Sequence, residues 1–229
     1  MSKQCDIRVA IDIGHTPKNA GATSARGLSE YSFNRRMGLE LYYKFSELGV
    51  NSFFVNSKEV EITLEQRVNS AKKHNATLFL SIHHDSVQKQ FLSTWRHKNK
   101  KRYFCDDFSG YSIFVSQKNI YFHKSLEIAK HIGTSLRQLG FIPTLHHTAN
   151  IKGERKKMYD KSLGIYRYDN LVVLKKNTIP AILIECGIII NRDEEDLINN
   201  PIRREKFITG ITRGVMQECQ TEQEIETVW

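Results

Sequence analysis

Thr77-Leu78-Phe79-Leu80-Ser81-Ile82-His83-His84-Asp85 decides the fold. Its first six residues are almost continuously apolar, which suits a strand covered on both faces, as in a parallel sheet. Two imidazoles and a carboxylate follow at the carboxyl end of that strand, where open α/β sheets bind their ligands. Two further stretches repeat the pattern. Arg8 to Ile13 runs into Gly14-His15, and Ala181 to Ile184 runs into Glu185. Three expected strands thus deliver a metal-ligand or acid–base residue at the same kind of end.

Helical patterns alternate with these strands. Ser29 is a suitable N-cap for a helix carrying Phe33, Met37, Leu41, Phe45 and Leu48 at helical spacing, with Gly49 as its stop. Thr63-Leu64-Glu65-Gln66 has the capping-box pattern, and Leu64, Val68 and Ala71 mark the buried face that follows. Phe122, Leu126, Ala129, Ile132, Leu136 and Leu139 trace a third helix. Asp193 to Asp196 places four acids in a first turn, favourable for the helix dipole. Asn200-Pro201 opens the last helix. Shorter strands are expected at Val50–Val55, Tyr111–Val115, Gly164–Tyr168 and Leu171–Leu174. The fold class is therefore α/β, a sandwich whose central twisted sheet is mostly parallel or mixed and flanked by helices. One domain is expected over residues 1–229, with a core from about 7 to 217 and a polar tail at 218–229 that frays.

Composition sets outer bounds. An apolar fraction of 40% and a charged fraction of 26% are ordinary for a globular protein. No apolar run approaches the roughly 20 residues that cross a bilayer. The first residues lack the apolar core of a signal peptide, so the protein stays where it is made, leaves by another route, or has a leader absent from this sequence. The net charge of +9, from 34 basic and 25 acidic residues, favours an anionic partner. Much of the excess sits in Arg96–Arg102 and Lys152–Lys161. No nucleic-acid recognition motif accompanies it. Cys5, Cys105, Cys186 and Cys219 form no CxxC pair.

His15, Glu30 and His83 make a candidate zinc set. A catalytic zinc takes three protein nitrogen or oxygen ligands and keeps a fourth position for water. Singly, each residue fits a structural histidine or a glutamate that complements a helix dipole; their joint placement at two strand ends and a helix start carries the signal. Glu185 closes an apolar strand, where a carboxylate is costly to bury without a partner. A metal-activated water would be such a partner, as would a buried ion pair.

Val9 to His15, Gly21-Ala22, Gly27 to Glu30, Leu80 to His83 and Ala181 to Gly187 with Asn191 occur in an order that resembles the zinc-dependent N-acetylmuramoyl-L-alanine amidases. These enzymes cut bacterial peptidoglycan between muramic acid and the stem peptide. The resemblance implies one zinc per chain held by His15, Glu30 and His83, Glu185 as the catalytic glutamate, and peptidoglycan or a muropeptide as substrate. It also implies a periplasmic or exported enzyme. The chain departs from the pattern at Ile13, usually proline, at Thr16, usually glycine, and at His84-Asp85, commonly Ala-Asn. Of the two adjacent imidazoles the motif selects His83, since successive strand residues point to opposite faces. His84 is open between supporting a ligand, contacting substrate and a structural role, while His146, His147 and Arg167 are further candidates for substrate contact. Ser86–Gly110, long, aromatic and basic, is expected to form one wall of the groove, with at least half of its aromatics packing it down. A zinc peptidase or carboxypeptidase, a non-catalytic wall-binding module, a cysteine hydrolase built on Cys186 and a nucleic-acid binder are the rivals.

Overall fold

The structure is a computed structural model that describes residues 6–226, with side chains as far as Glu218. Along the chain come β1 (Arg8–Ile13), α1 (Glu30–Glu47), β2 (Asn51–Phe54), α2 (Leu64–Lys73), β3 (Leu78–Asp85), β4 (Ser93–His97) and β5 (Lys100–Phe104). Then follow β6 (Ser112–Val115), α3 (Phe122–Gln138), β7 (Met158–Asp160), β8 (Ile165–Arg167), α4 (Val172–Lys175), β9 (Ala181–Ile188), α5 (Arg192–Asn199) and α6 (Pro201–Glu226). Seven strands form one sheet in the order β2-β1-β3-β9-β6-β8-β7. The β2, β1, β3 and β9 strands are parallel; β6 runs antiparallel to β9, β8 parallel to β6, and β7 antiparallel to β8. The sheet is mixed, as its sequence pattern implied.

Strand alternation assigns each face its own core. Val9, Ile11, Leu78, Leu80, Ile82, Ile182 and Ile184 pack with Met37, Leu41 and Phe45 of α1, Ile128 and Ile132 of α3, and Ile211 of α6. Ala10, Phe79, Ala181 and Leu183 pack on the other face with Ala71 of α2 and Val173 and Leu174 of α4. The second face is the more thinly covered. Beyond the ends of its short helices α2 and α4 it opens into a cleft, and the residues that continue its alternation, Asp12, His83, Asp85 and Glu185, line that cleft.

Local chemistry explains most element ends. Thr63 accepts the Gln66 N–H and Gln66 returns a bond to the Thr63 N–H, completing the capping box. Asn200 caps α6 by accepting the N–H groups of Ile202 and Arg203. Ser29 occupies the N-cap of α1 without a side-chain bond.

Three expectations change. Leu171–Leu174 is no strand: four apolar residues have no decisive period, and Val172–Lys175 turns as α4 to plug Val173 and Leu174 into the second core. The acids of α5 do more than face a dipole. Buried Glu194 accepts the Gly110 and Ile188 N–H groups, and buried Glu195 accepts Ser24 Oγ, the Arg26 N–H and Arg26 Nη1. Leu48 and Leu64, expected on the inward faces of α1 and α2, are 43% and 46% exposed, because each sits at an end of its helix beyond the core. Helix α6 extends to Glu226, and residues 227–229 lie outside the described chain.

Candidate active site

The loop after β1 is bent back by one residue in the left-handed region, His15, with φ 68°. A buried ion pair holds it there. Asp12 Oδ1 receives Arg67 Nη1 at 2.6 Å, and Asp12 Oδ2 receives Ser81 Oγ at 2.7 Å. The same guanidinium donates to the carbonyls of Ile13 and His15 at 2.8 and 2.7 Å. Both partners are almost fully buried. Gly14 leaves just enough room: a Cβ there would overlap the His83 ring. Gly21, at φ 75°, brings its backbone against Glu30 and His15 where a Cβ would collide with both.

Within this cradle three side chains converge. His15 Nε2 lies 3.0 Å from Glu30 Oε2, and His83 Nδ1 lies 3.0 Å from Glu30 Oε1. The two rings meet edge to face with centroids 5.0 Å apart. Glu30 also accepts the Ala22 N–H and Asn34 Nδ2. Burial opposes its ionisation, but hydrogen bonds from His15 and His83 and their positive charge outweigh burial and hold the carboxyl well below the usual range.

Glu185 is paired in register with His83 across the β3–β9 seam and lines the same cleft, of about 520 Å³. Its Oε2 is buried with no hydrogen-bond partner. Burial, and then the charges of Asp85 and Glu30, push its pKa well above the ordinary value, while Lys156 pulls the other way. A carboxylate so placed is disposed to take up a proton. Lys156 and Glu154 enter the cleft from the segment before β7, and Tyr168 and Leu171 border it near α4.

Residues 9–217 match Amidase_3, N-acetylmuramoyl-L-alanine amidase. The chain belongs to this family. Among its relatives, AmiC of Neisseria meningitidis serogroup B is 22% identical over 235 residues, covering 93% of this chain and 53% of AmiC. AmiA of Escherichia coli K12 is 24% identical over 234 residues, covering 91% of this chain and 74% of AmiA. The chain thus spans about half the length of one and three quarters of the other. The crystal structure of the N-acetylmuramyl-L-alanine amidase Ami1 from Mycobacterium smegmatis shares the fold, with a TM-score of 0.74 at 19% identity over 96% of this chain and 100% of that one.

Two of the departures from the Amidase_3 pattern, Thr16 and His84, have local explanations. Thr16 replaces the usual glycine and donates its hydroxyl to Glu61 while accepting the Asn19 N–H. His84 points away from the cleft, against α1, where it is 2% exposed. Its Nδ1 meets Asn34 Oδ1 at 2.8 Å, its ring packs on Phe33, and burial lowers its pKa to about 3. No substrate in the cleft reaches it. His84 instead braces Asn34, which in turn braces Glu30. Arg167 does not line the cleft either; it is held by Asp169. His147 does border the cleft, and His146 is buried beside it.

The segment Ser86–Gly110, expected as one wall of the groove, contributes no residue to the lining of this cleft, although its Gln88 Nε2 donates to the Lys152 carbonyl at 2.8 Å beside the cleft residues Gly153 and Glu154. It folds as the β4–β5 hairpin, turned by Lys98 and Asn99 in the left-handed region, a two-residue turn that fits the twist of the strands. Trp95 Nε1 donates to the Ala25 carbonyl, and the Arg192 guanidinium stacks 3.8 Å over Phe104 and 5.1 Å over Trp95. Packing is therefore the role of these aromatics, while Tyr103 stays exposed. Cys186 is buried on the opposite face from Glu185, and burial drives its thiol well above the usual pKa, which removes it as a nucleophile. Among the described residues no helix is long and apolar enough to cross a membrane.

Arg67, Asn34, Glu154 and Lys156 were not singled out from sequence. Arg67 left a trace: it adjoins Val68 and stands one turn before Ala71 on the buried face of α2, and a buried Asp12 at a strand end needs a cation.

Proposed function

We propose that the chain is a single catalytic domain that hydrolyses the amide between N-acetylmuramic acid and L-alanine in peptidoglycan or a muropeptide, using one zinc ion held by His15, Glu30 and His83. The observation that carries this is the convergence of two imidazoles and a carboxylate in one cleft with Glu185, whose buried Oε2 has no partner. The donor set fits the metal. Two imidazole nitrogens and a carboxylate suit zinc, and Gly14 and Gly21 keep the cradle clear of Cβ atoms. Zinc bound there supplies a Lewis acid for the amide carbonyl and lowers the pKa of water to roughly 7. Glu185 accepts the proton of the attacking water and hands it to the departing alanine nitrogen. Asp12 and Arg67 keep His15 in its left-handed conformation, and Asn34 holds Glu30. The basic surface suits an anionic wall, and the substrate places the enzyme in the periplasm or outside the cell.

Digestion of a defined muropeptide by the zinc-loaded protein, followed by mass spectrometry, tests the proposal. The expected products are the intact lactyl sugar and a stem peptide with a free N-terminal alanine. Glu185→Gln keeps the shape but not the basicity, and turnover should fall by about 10²–10⁴-fold with zinc retained. Cleavage of plain peptides with the muropeptide left intact would make the chain a peptidase. Near-normal turnover by Glu185→Gln would remove that residue from the chemistry, and loss of zinc would make it a ligand.

A further inference from the structure

A second convergence of donors lies in the same cleft, at the point where the chain departs from its family. Asp85 stands two residues beyond His83 on the same face of β3, roughly 7 Å along the strand. Its Oδ1 accepts the Ser86 N–H at 2.7 Å. Its Oδ2 faces His146 Nε2 at 3.1 Å and His147 Nε2 at 3.0 Å. None of these three atoms makes a directed hydrogen bond, and all three are buried. The two rings are held nearly face to face, with centroids 3.9 Å apart.

The outer nitrogens are already committed. His147 Nδ1 lies 2.9 Å from Glu154 Oε2, and a carboxylate only accepts, so that nitrogen carries a proton. A neutral His147 then turns the lone pair of Nε2 towards Asp85 Oδ2, and two electron-rich atoms confront each other in a buried place. His146 Nδ1 is likewise engaged outward, by Thr144 Oγ1 at 2.9 Å. An imidazole with its outer N–H held by a carboxylate or hydroxyl, and its inner nitrogen bare, is set as a metal ligand is set. Around a tetrahedral ion with bonds of about 2.0–2.1 Å, neighbouring ligand atoms stand roughly 3.3 Å apart, close to the spacing here.

We propose that Asp85, His146 and His147 form a second site for a divalent transition metal of zinc's class, opening onto the cleft that also holds His15, Glu30 and His83. Two imidazoles and one carboxylate favour such an ion over magnesium or calcium, which prefer oxygen. Asp85 and His147 border the cleft while the donor atoms themselves are buried, so the cleft is the side from which a fourth ligand would come. The competing arrangement is an extra proton in place of the metal. Burial resists a charge on His147, yet Asp85 and Glu154 raise its pKa. The site does not depend on which bond the cleft hydrolyses.

Metal counting separates the two arrangements. The full chain is stripped with a chelator and titrated with Zn²⁺ against a chromophoric competitor, with bound metal read by elemental analysis. Wild type should hold about two equivalents, and the double variant His15→Ala/His83→Ala about one. Asp85→Asn and His147→Ala should each hold one fewer than wild type. Co²⁺ added to the double variant should give the visible absorption of a four-coordinate ion. The proposal is overturned if the double variant binds no metal above background. It is equally overturned if Asp85→Asn and His147→Ala, folded by circular dichroism, hold as much as wild type. Should those two variants not fold, the double variant and the wild-type stoichiometry decide. Failure of the first cluster has its own signature: wild type and double variant then hold the same single equivalent, and Asp85→Asn holds none.

Discussion

The two histidine–carboxylate clusters in the cleft use the same kinds of atom in opposite ways. Glu30 divides its oxygens, one to each imidazole, and gains two further donors from Ala22 and Asn34. Asp85 gives one oxygen to the backbone and turns the other on both imidazoles at once. The first arrangement satisfies itself with protons; the second leaves three buried atoms unmatched. Their supports differ too. His15 and His83 stand at strand ends clamped by a buried ion pair, whereas His146 and His147 lie together on a short turn whose outward bonds go to Thr144 and Glu154. A ligand set can thus be held either by the sheet or by a second ring of side chains.

Breaking the clamp should produce the largest effect. Arg67→Ala leaves Asp12 buried without its cation, which costs about 3–5 kcal/mol in cases of this kind. Urea unfolding should show that loss, and metal held by His15 should weaken while metal at His147 is retained. Equal weakening at both clusters would mean that they share one support. A smaller effect is expected from Glu154→Gln, which replaces the outward carboxylate of His147. Second-site affinity should drop by about 10–100-fold, with no change at the first cluster. Unchanged affinity would show that Glu154 does not orient that ring. The smallest effect concerns neither cluster. Trp95→Ala removes one hydrogen bond and stacking with Arg192, worth together about 1–2 kcal/mol. Thermal unfolding should register it while muropeptide turnover stays at the wild-type level; a fall in turnover would bring the hairpin back towards the groove.

The sheet and the first cluster were legible because their signals are periodic or terminal. Apolar runs at 8–13, 77–82 and 181–184 specify strands, and a polar residue that ends such a run has few places to go. The hairpin at 93–104 was not legible, because its strands, Ser-Thr-Trp-Arg-His and Lys-Lys-Arg-Tyr-Phe, show no regular apolar alternation and have a composition that a surface loop also permits. Its turn residues, Lys98 and Asn99, carry only a weak preference for positive φ. The role of His84 was not legible for a different reason. Alternation alone places it opposite His83, yet only the fold reveals that this opposite side is the packed face of α1. The meeting of Asp85 with His146 and His147 rests on a segment without periodicity, so no local rule could bring those residues together.

The alternation of β3 also governs which changes of chain length the molecule can accept. His83 and Asp85 serve different clusters from one face, while His84 fills the core from the other. A one-residue insertion or deletion ahead of His83 in β3, unless taken up as a bulge like the register shift that the β3–β9 pair already holds between His83 and Asp85, would turn these side chains to the wrong side of the sheet. Both clusters would be lost and an imidazole's cavity emptied in a single event. A few residues further on, the hairpin hangs outside the sheet, where additions at its tip would leave that register untouched. Two neighbouring stretches therefore carry opposite tolerances: β3 resists a change in its count, and the hairpin tip admits one.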